Sequence, residues 1–318
     1  MPKLIIQIPC FNEQETLPQT LEDLPRRVPG CEAVEVLVVD DGSTDGTVEV
    51  ARQRGVEHIL RFPRNRGLAA AFSAGLNRAL ELGADVIVNT DGDHQYPGRF
   101  VLDLVQPILE GRAEVVVGDR QIATRRGYPR LKRWLQRLGS RVVGWTSGLE
   151  VPDATSGFRA FSREAALRIV VHTGYTYTAE TLIQAGKTGL AVSFVPIEIN
   201  DKLRDSRLIK STPGFVARSA AAILRIFLMY EALRIFVGIG LALFLGGLVL
   251  AGRYLYFFAI GEGQGHVQSL ILATILVLMG FLSFLLGMLA DLIAKNRRLN
   301  EETLYRLRKL DLQRGRDA

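Results

Sequence analysis

Asp91 and Asp93 stand one residue apart in TDGDHQYP, at the end of the apolar run Val86 to Thr90. Two carboxylates at a strand end can turn toward one point in a tight loop. A hard divalent cation such as Mg²⁺ or Mn²⁺ takes such oxygen ligands and keeps room for substrate phosphates. An Asp-x-Asp pair alone carries little weight, because loop carboxylates usually meet only water or a helix end. Two further polar segments share the setting, however: PCFNE (Pro9 to Glu13) and VVDDGSTDGT (Val38 to Thr47), each following a strand-like run. Basic segments complete the set. Arg120 to Arg141 holds eight Lys/Arg and no carboxylate, and Lys202 to Arg234 holds seven more. Such clusters suit phosphates or an anionic membrane surface. Nucleic acid is set aside as a partner, since no zinc-finger spacing, RNA-binding signature or helix-turn-helix pattern accompanies the charge.

The elements that must position these residues follow from the hydrophobic pattern. Strand-like runs at Leu4 to Ile8, Val34 to Asp40, His58 to Phe62, Val86 to Thr90 and Val115 to Gly118 alternate with helix-like stretches such as Glu13 to Leu24 and Leu68 to Leu82. That alternation predicts an α/β fold, a mostly parallel sheet covered by helices. Asn12, with Glu15 three residues on, predicts a cap for the first helix. The loops after strand ends then carry Asn12, Asp40, Asp41, Asp91 and Asp93, and open α/β sheets bind ligands beyond those carboxyl ends. Past Arg120 come a basic helix around Pro129 to Val143, a loop near Asp153 to Arg159, two more helices and a strand at Val192 to Ile199. The chain of 318 residues, 48% apolar and with net charge +6, has room for a core of roughly 200 residues plus an appendage. Its two cysteines, Cys10 and Cys31, offer neither a zinc site nor a disulfide framework.

The appendage is apolar. Residues 1–210 read as the soluble domain and 211–234 as an amphipathic helix lying on a membrane. Two spans at about 235–256 and 267–290 are each long enough to cross a hydrocarbon core of about 30 Å. A basic tail at 291–318 follows. Lys and Arg flank the pair, yet none lies between Tyr254 and Ala294. The positive-inside rule therefore predicts cytoplasmic termini, with 257–266 on the far side of the cytoplasmic (inner) membrane. Met1 leads straight into KLIIQIP without a signal-peptide pattern, so the soluble domain is expected to stay in the cytoplasm.

With GDR (Gly118 to Arg120), RLKRW (Arg130 to Trp134), DATSGFRAF (Asp153 to Phe161) and NDKLRDSRL (Asn200 to Leu208) added, the motifs over residues 3–210 resemble family 2 glycosyltransferases of the GT-A (Rossmann-like) fold. Within that family the chain is most similar to the polyprenyl-phosphate sugar transferases that include dolichol-phosphate mannosyltransferase. The resemblance implies a metal-dependent, inverting transfer from a UDP- or GDP-sugar to undecaprenyl or dolichyl phosphate, in cell envelope biogenesis. It implies that Pro9, Phe11, Glu13, Asp40 and Asp41 line the base and ribose pocket. Asp91, Gly92 and Asp93 meet the donor diphosphate through the metal, Gln95 completes the metal site, and His94 is a neighbour. Arg120 and Arg133 hold the lipid phosphate, and Ser156 offers it or the sugar a hydroxyl. Asp153 orients the sugar or acts as a base, or else pairs with Arg159. One of Lys202, Arg204 and Arg207 contacts the donor diphosphate as a loop closes, with Arg207 favoured. Anionic lipids are expected partners, and a homo-oligomer is compatible with the pattern.

Two other readings compete. A processive polysaccharide synthase would share the fold, but its Gln-x-x-Arg-Trp motif has Arg130 at the glutamine position here, and two spans are few for a polymer channel. A non-catalytic membrane adaptor would have no reason to keep the acidic and basic loops intact.

Overall fold

The computed structural model describes residues 1–122, 130–171, 177–200 and 212–317. The chain forms two compact units, one of Met1–Ile223 with Glu302–Ala318, the other of Leu224–Glu301.

The first unit is built on seven strands: β1 (Lys3–Cys10), β2 (Ala33–Asp40), β3 (His58–Arg61), β4 (Val86–Asn89), β5 (Val115–Asp119), β6 (Arg159–Ser162) and β7 (Val192–Pro196), in the order β3-β2-β1-β4-β6-β5-β7. β1 is central and buried along nearly its whole length. This is why it reads as a nearly continuous apolar run, broken by Gln7, and not as alternation. It runs parallel to β2 and β4, with Cys10 opposite Asp40 and Gln7 opposite Asn89. The loops after β1, β2 and β4 therefore leave the sheet at one edge. β6 is antiparallel to both β4 and β5, pairing Arg159 with Asn89 and with Val117. Its direction is decisive, because the loop before it, from Asp153, arrives at that same edge.

Helices α1 (Leu17–Asp23), α2 (Thr47–Gln53), α3 (Leu68–Glu81), α4 (Val101–Leu109), α5 (Arg130–Ser147), α6 (Arg163–Arg168) and α7 (Tyr177–Thr188) complete this unit up to residue 200. α3 lies close against the sheet. A Cβ on Gly75 would come within 2.4 Å of Gln7 Oε1, so only glycine leaves room for the polar Gln7–Asn89 pair, joined at 2.8 Å inside the sheet.

The first helix starts at Leu17, later than the sequence pattern places it, and Asn12 does not cap it. Asn12 instead adopts φ 57° and accepts a hydrogen bond from the Thr44 amide at 2.8 Å. The last strand stops at Pro196, after which the Ile197 amide donates to Asp119 O. β6 was not foreseen, since four residues opening on an arginine carry almost no strand signal.

α8 spans Thr212–Ala259 and breaks at Glu231, whose φ and ψ are −128° and 23°. The kink lies close to the boundary expected at 234/235, and Glu231 pairs with Arg234 at 3.0 Å. α9 spans Val267–Asp317, so the basic tail is a helical continuation of the second span. Its last turns, from Glu302, belong to the first unit. Tyr305 OH donates to Glu164 at 2.8 Å, and Arg308 Nη1 donates to Ile169 O at 3.0 Å, satisfying a carbonyl just past the end of α6.

In the second unit, the stretches Glu231–Ala259 and Gly263–Gln313 are long and apolar enough to cross a membrane. Only 11% and 22% of their most apolar windows are buried, unlike core helices of a soluble protein. Their backbones nearly touch: a Cβ on Gly280 would sit 2.8 Å from Gly240 O, and Ser283 Oγ donates to Phe236 O at 2.8 Å. Small residues and an interhelical hydrogen bond hold the pair closely, the kind of contact that joins helices where apolar burial gives no drive. Gly280→Leu is expected to separate the pair at a cost of about 1–3 kcal/mol. Gly252→Leu, where a Cβ meets nothing within 4 Å, should be nearly silent. Thermal melts of the two variants in detergent check the difference.

Candidate active site

The β1 and β2 loops are zipped together by short polar contacts. The amide of Asn12 donates to Ser43 Oγ at 2.9 Å, that of Glu13 to Thr47 Oγ1 at 2.9 Å, and that of Gly46 to Gln14 Oε1 at 2.7 Å. Pro9 and Glu13 are buried in this floor, while Phe11 is exposed. Asp40 accepts from the Ser43 amide and pairs with Arg61 at 3.2 Å. Asp41 spends both oxygens on the amides of Arg66 (2.7 Å) and Gly67 (2.9 Å), fixing the approach to α3. Both carboxylates thus shape the pocket walls.

The third loop closes on this floor. A Cβ on Gly92 would lie 3.0 Å from Cys10 Sγ and 3.3 Å from Glu13 Cγ, so a side chain there would push the loops apart. Asp93 Oδ1 accepts from the Gln95 amide at 3.1 Å, and His94 between them adopts φ 57°. Asn200 braces that turn, its amide donating to Gln95 O and its Nδ2 to His94 O, both at 3.0 Å. Burial pushes the Asp91 carboxyl up to about 7, the charges of Asp93 and Glu13 push the same way, and Arg120 opposes them. Gly157 lies directly over this carboxylate: a Cβ there would be 3.1 Å from each Asp91 oxygen.

Gly157 is itself held on both sides. Its amide donates to Tyr96 OH at 3.1 Å and its carbonyl accepts from Asn89 Nδ2 at 2.8 Å. Burial pushes the Tyr96 hydroxyl up to about 12, so it stays neutral. On the other flank Arg120 and Asp153 form a two-pronged ion pair, Nε to Oδ2 at 2.7 Å and Nη2 to Oδ1 at 3.0 Å, with side-chain exposures of 11% and 1%. Gln136 of α5 donates to the same carboxylate at 3.1 Å. Burial pushes the Asp153 carboxyl up, but the Arg120 charge and hydrogen bonds outweigh it and hold the group below the ordinary range.

The alternative partner, Arg159, does not pair with Asp153. Its buried guanidinium donates to the carbonyls of Ser156 (2.8 Å), Thr178 (2.6 Å) and Ala154 (3.0 Å), clamping the loop from within. Burial lowers its pKa to about 10, and it remains charged. Ser156 is fully buried, and its Oγ makes no hydrogen bond among the described residues. Arg133 is half-buried on α5. Lys202, Arg204 and Arg207 lie outside the described residues, just past the anchored Asn200.

Among the described residues no three His, Cys, Asp or Glu side chains gather into a metal-holding group. Two aspartates of like charge make an incomplete set, the kind a cation fills with help from phosphate and water.

The sequence profile of glycosyl transferase family 2 matches residues 5–169, just over half of the chain. The chain belongs to that family. Relatives of this glycosyltransferase include the undecaprenyl-phosphate mannosyltransferase of Micrococcus luteus, 29% identical over 74% of this chain and 100% of the relative. The dolichyl-phosphate hexose transferase of Haloferax volcanii is 31% identical over 64% of this chain and 86% of the relative. A solved structure of glucosyl-3-phosphoglycerate synthase from Mycobacterium tuberculosis, crystallised with Mn²⁺, UDP and glucosyl-3-phosphoglycerate, superposes with a TM-score of 0.56. It is 21% identical and covers 71% of this chain and 79% of its own, which establishes the GT-A fold.

Tyr96, Asn89, Gln136 and Asn200 brace this candidate site without having been singled out in the sequence, and Arg159 was read only as a partner for Asp153. Tyr96 had a signal, lying inside TDGDHQYP, and Asn200 opens NDKLRDSRL, whereas the roles of Asn89, Gln136 and Arg159 are visible only once β6 and α5 are in place. A carboxyl raised to about 7 is mostly ionised only above that pH, where the folded state bears a desolvation cost, and beside it a repulsion, that the unfolded chain lacks. Asp91→Asn is therefore expected to stabilise the metal-free protein at pH 8 by about 1 kcal/mol or more, one pKa unit being worth about 1.4 kcal/mol. Chemical denaturation at pH 8 and pH 5 checks this, with a smaller gain at pH 5.

Proposed function

We propose that this glycosyltransferase moves a sugar from a nucleotide-sugar to a polyprenyl phosphate at a membrane surface, with inversion at the anomeric carbon and with a divalent metal held by Asp91, Asp93 and Gln95. The observation that carries the reading is an acidic pair set beside a locked arginine: Asp91 lies in the fields of Asp93 and Arg120, and Arg120 is pinned by Asp153. Both substrates are phosphate anions, and a site for them needs positive charge on each side of the reacting carbon. The names of the relatives support the acceptor class, and the two apolar helices support a membrane-bound acceptor.

The oxygen donor set fits a hard cation, which when bound offsets charge on the departing nucleoside diphosphate. The remaining work falls to the protein. Pro9, Phe11, Glu13, Asp40 and Asp41, with their zipped loops, form the floor for base and ribose. Arg120 keeps its orientation because Asp153 grips two of its nitrogens, and with Arg133 it supplies charge for the lipid phosphate. A phosphate monoester has its second pKa near 6, so the acceptor needs no strong base. Asp153, ionised and saturated with hydrogen bonds, acts by orienting Arg120. Ser156 presents its hydroxyl beside Gly157. The 201–210 segment starts from Asn200 at the metal loop, which suits Lys202, Arg204 or Arg207 for the donor diphosphate and for excluding water as the segment closes.

The test is a panel of nucleotide-sugars with undecaprenyl phosphate, with and without Mn²⁺. A single lipid-linked sugar is expected, only with metal present. Asp93→Asn should abolish it, Arg133→Ala should mainly raise KM for the lipid, and Arg207→Ala should mainly weaken use of the donor. A polymeric product would favour a synthase, and no transfer by folded protein would favour an adaptor.

Both termini are placed in the cytoplasm, which contains the nucleotide-sugar. With Cys10 and Cys31 replaced, Gln264→Cys should react with an impermeant thiol reagent in intact cells and Arg306→Cys only after lysis. The reverse pattern would overturn this topology.

A further inference from the structure

α5 carries a surface that the transfer reaction does not use. Leu135, Ser140, Val143 and Thr146 face inward and are buried. Trp134 and Trp145, the only tryptophans in the chain, are 58% and 51% exposed, with Leu138 exposed between them. At 100° per residue, positions 134, 138, 141 and 145 fall on one stripe and 137 lies beside it, so exposed Arg137 and Arg141 share this face. No acidic residue occurs anywhere in α5. Large apolar rings more than half exposed are costly in a soluble surface, whereas tryptophan with adjacent arginine is the composition of a helix lying at a lipid headgroup boundary.

We propose that this face of α5 is a membrane-docking surface, with Trp134, Leu138 and Trp145 inserted at headgroup depth of an anionic bilayer and Arg137 and Arg141 meeting its phosphates. The occupant is a bilayer because the face is cationic as well as apolar and because the same chain carries two helices able to span one. The consequence for catalysis is geometric. On its inner side the same helix holds the Asp153 loop, through Gln136 Nε2 to Asp153 at 3.1 Å and through Ser140 Oγ, which accepts from the Ala154 amide at 3.1 Å. Docking α5 would therefore set the depth of the Arg120–Asp153 pair relative to the headgroups, where a lipid phosphate is presented. This consequence rests on the polyprenyl-phosphate reading; the docking itself does not.

Intrinsic fluorescence of the full chain is the direct probe, since all tryptophan signal comes from this face. In phosphatidylglycerol/phosphatidylcholine vesicles, emission should be blue-shifted, strongly quenched by lipids brominated high on the acyl chain, and weakly quenched by aqueous iodide. Water-exposed emission with strong iodide quenching would overturn the proposal. Tryptophans shielded from both quenchers would also overturn it, as the mark of a protein interface with a second copy. In the transfer assay, Trp134→Ala/Trp145→Ala should raise KM for vesicle-borne undecaprenyl phosphate several-fold and leave kcat and KM for the donor unchanged. Lipid quenching without any transfer would keep the docking and remove the acceptor assignment. An unchanged lipid KM in a folded double variant would sink the catalytic consequence.

Discussion

A buried negative charge has to be offset, and much of this site follows from how the Asp91 carboxylate is offset. Asp93 and Glu13 oppose its ionisation and Arg120 favours it. Arg120 can serve only if it stays in place, which Asp153 ensures through two hydrogen bonds inside the protein. Asp153 in turn depends on the loop before β6, and that loop depends on Arg159 clamping its carbonyls. The chain of dependence runs from one carboxylate to the direction of one short strand. Truncating Asp153 would leave the enclosed Arg120 charge without its partner, and such losses are severe.

The same constraint separates what could be read in the residue types from what could not. The closeness of Asp91 and Asp93 was legible because it is local: two carboxylates one residue apart after a strand feel each other's charge whatever else the chain does. The inner strands were legible for the same reason, since β1 is buried on both faces and its run is apolar but for Gln7 and the terminal Lys3. Arg159 was not legible. A buried arginine solvated by three carbonyls looks, in sequence, like any surface cation or ion-pair partner, and the obvious neighbour Asp153 proved to be taken by Arg120. Asn12 misled in a similar way, since its side chain can cap a helix or bridge two loops with equal chemistry. Only the parallel pairing of β1 and β2, which brings Thr44 within reach, decides between them.

The membrane part was legible in length and composition, less so in boundary. Apolar composition marks where helices cross, but a kink such as that at Glu231 is a backbone event with no compositional signal. The tail was read as a basic extension and is an ordered helix whose Tyr305 and Arg308 hold α6. Gly157 links the themes of the site in miniature. It is the one residue type that lets the loop before β6 lie 3.1 Å, measured from its absent Cβ, above the Asp91 carboxylate.

The central claim is that Asp91 and Asp93 form half of a cation site, completed by the donor's diphosphate. Calorimetric titration of Mn²⁺ into the full-length protein, alone and with a saturating nucleoside diphosphate, tests it most directly. Weak binding alone and much tighter binding with the nucleotide, lost in Asp93→Asn, is the expected result. Equal Mn²⁺ affinity with and without every nucleoside diphosphate tried, or unchanged binding in Asp93→Asn, would contradict it.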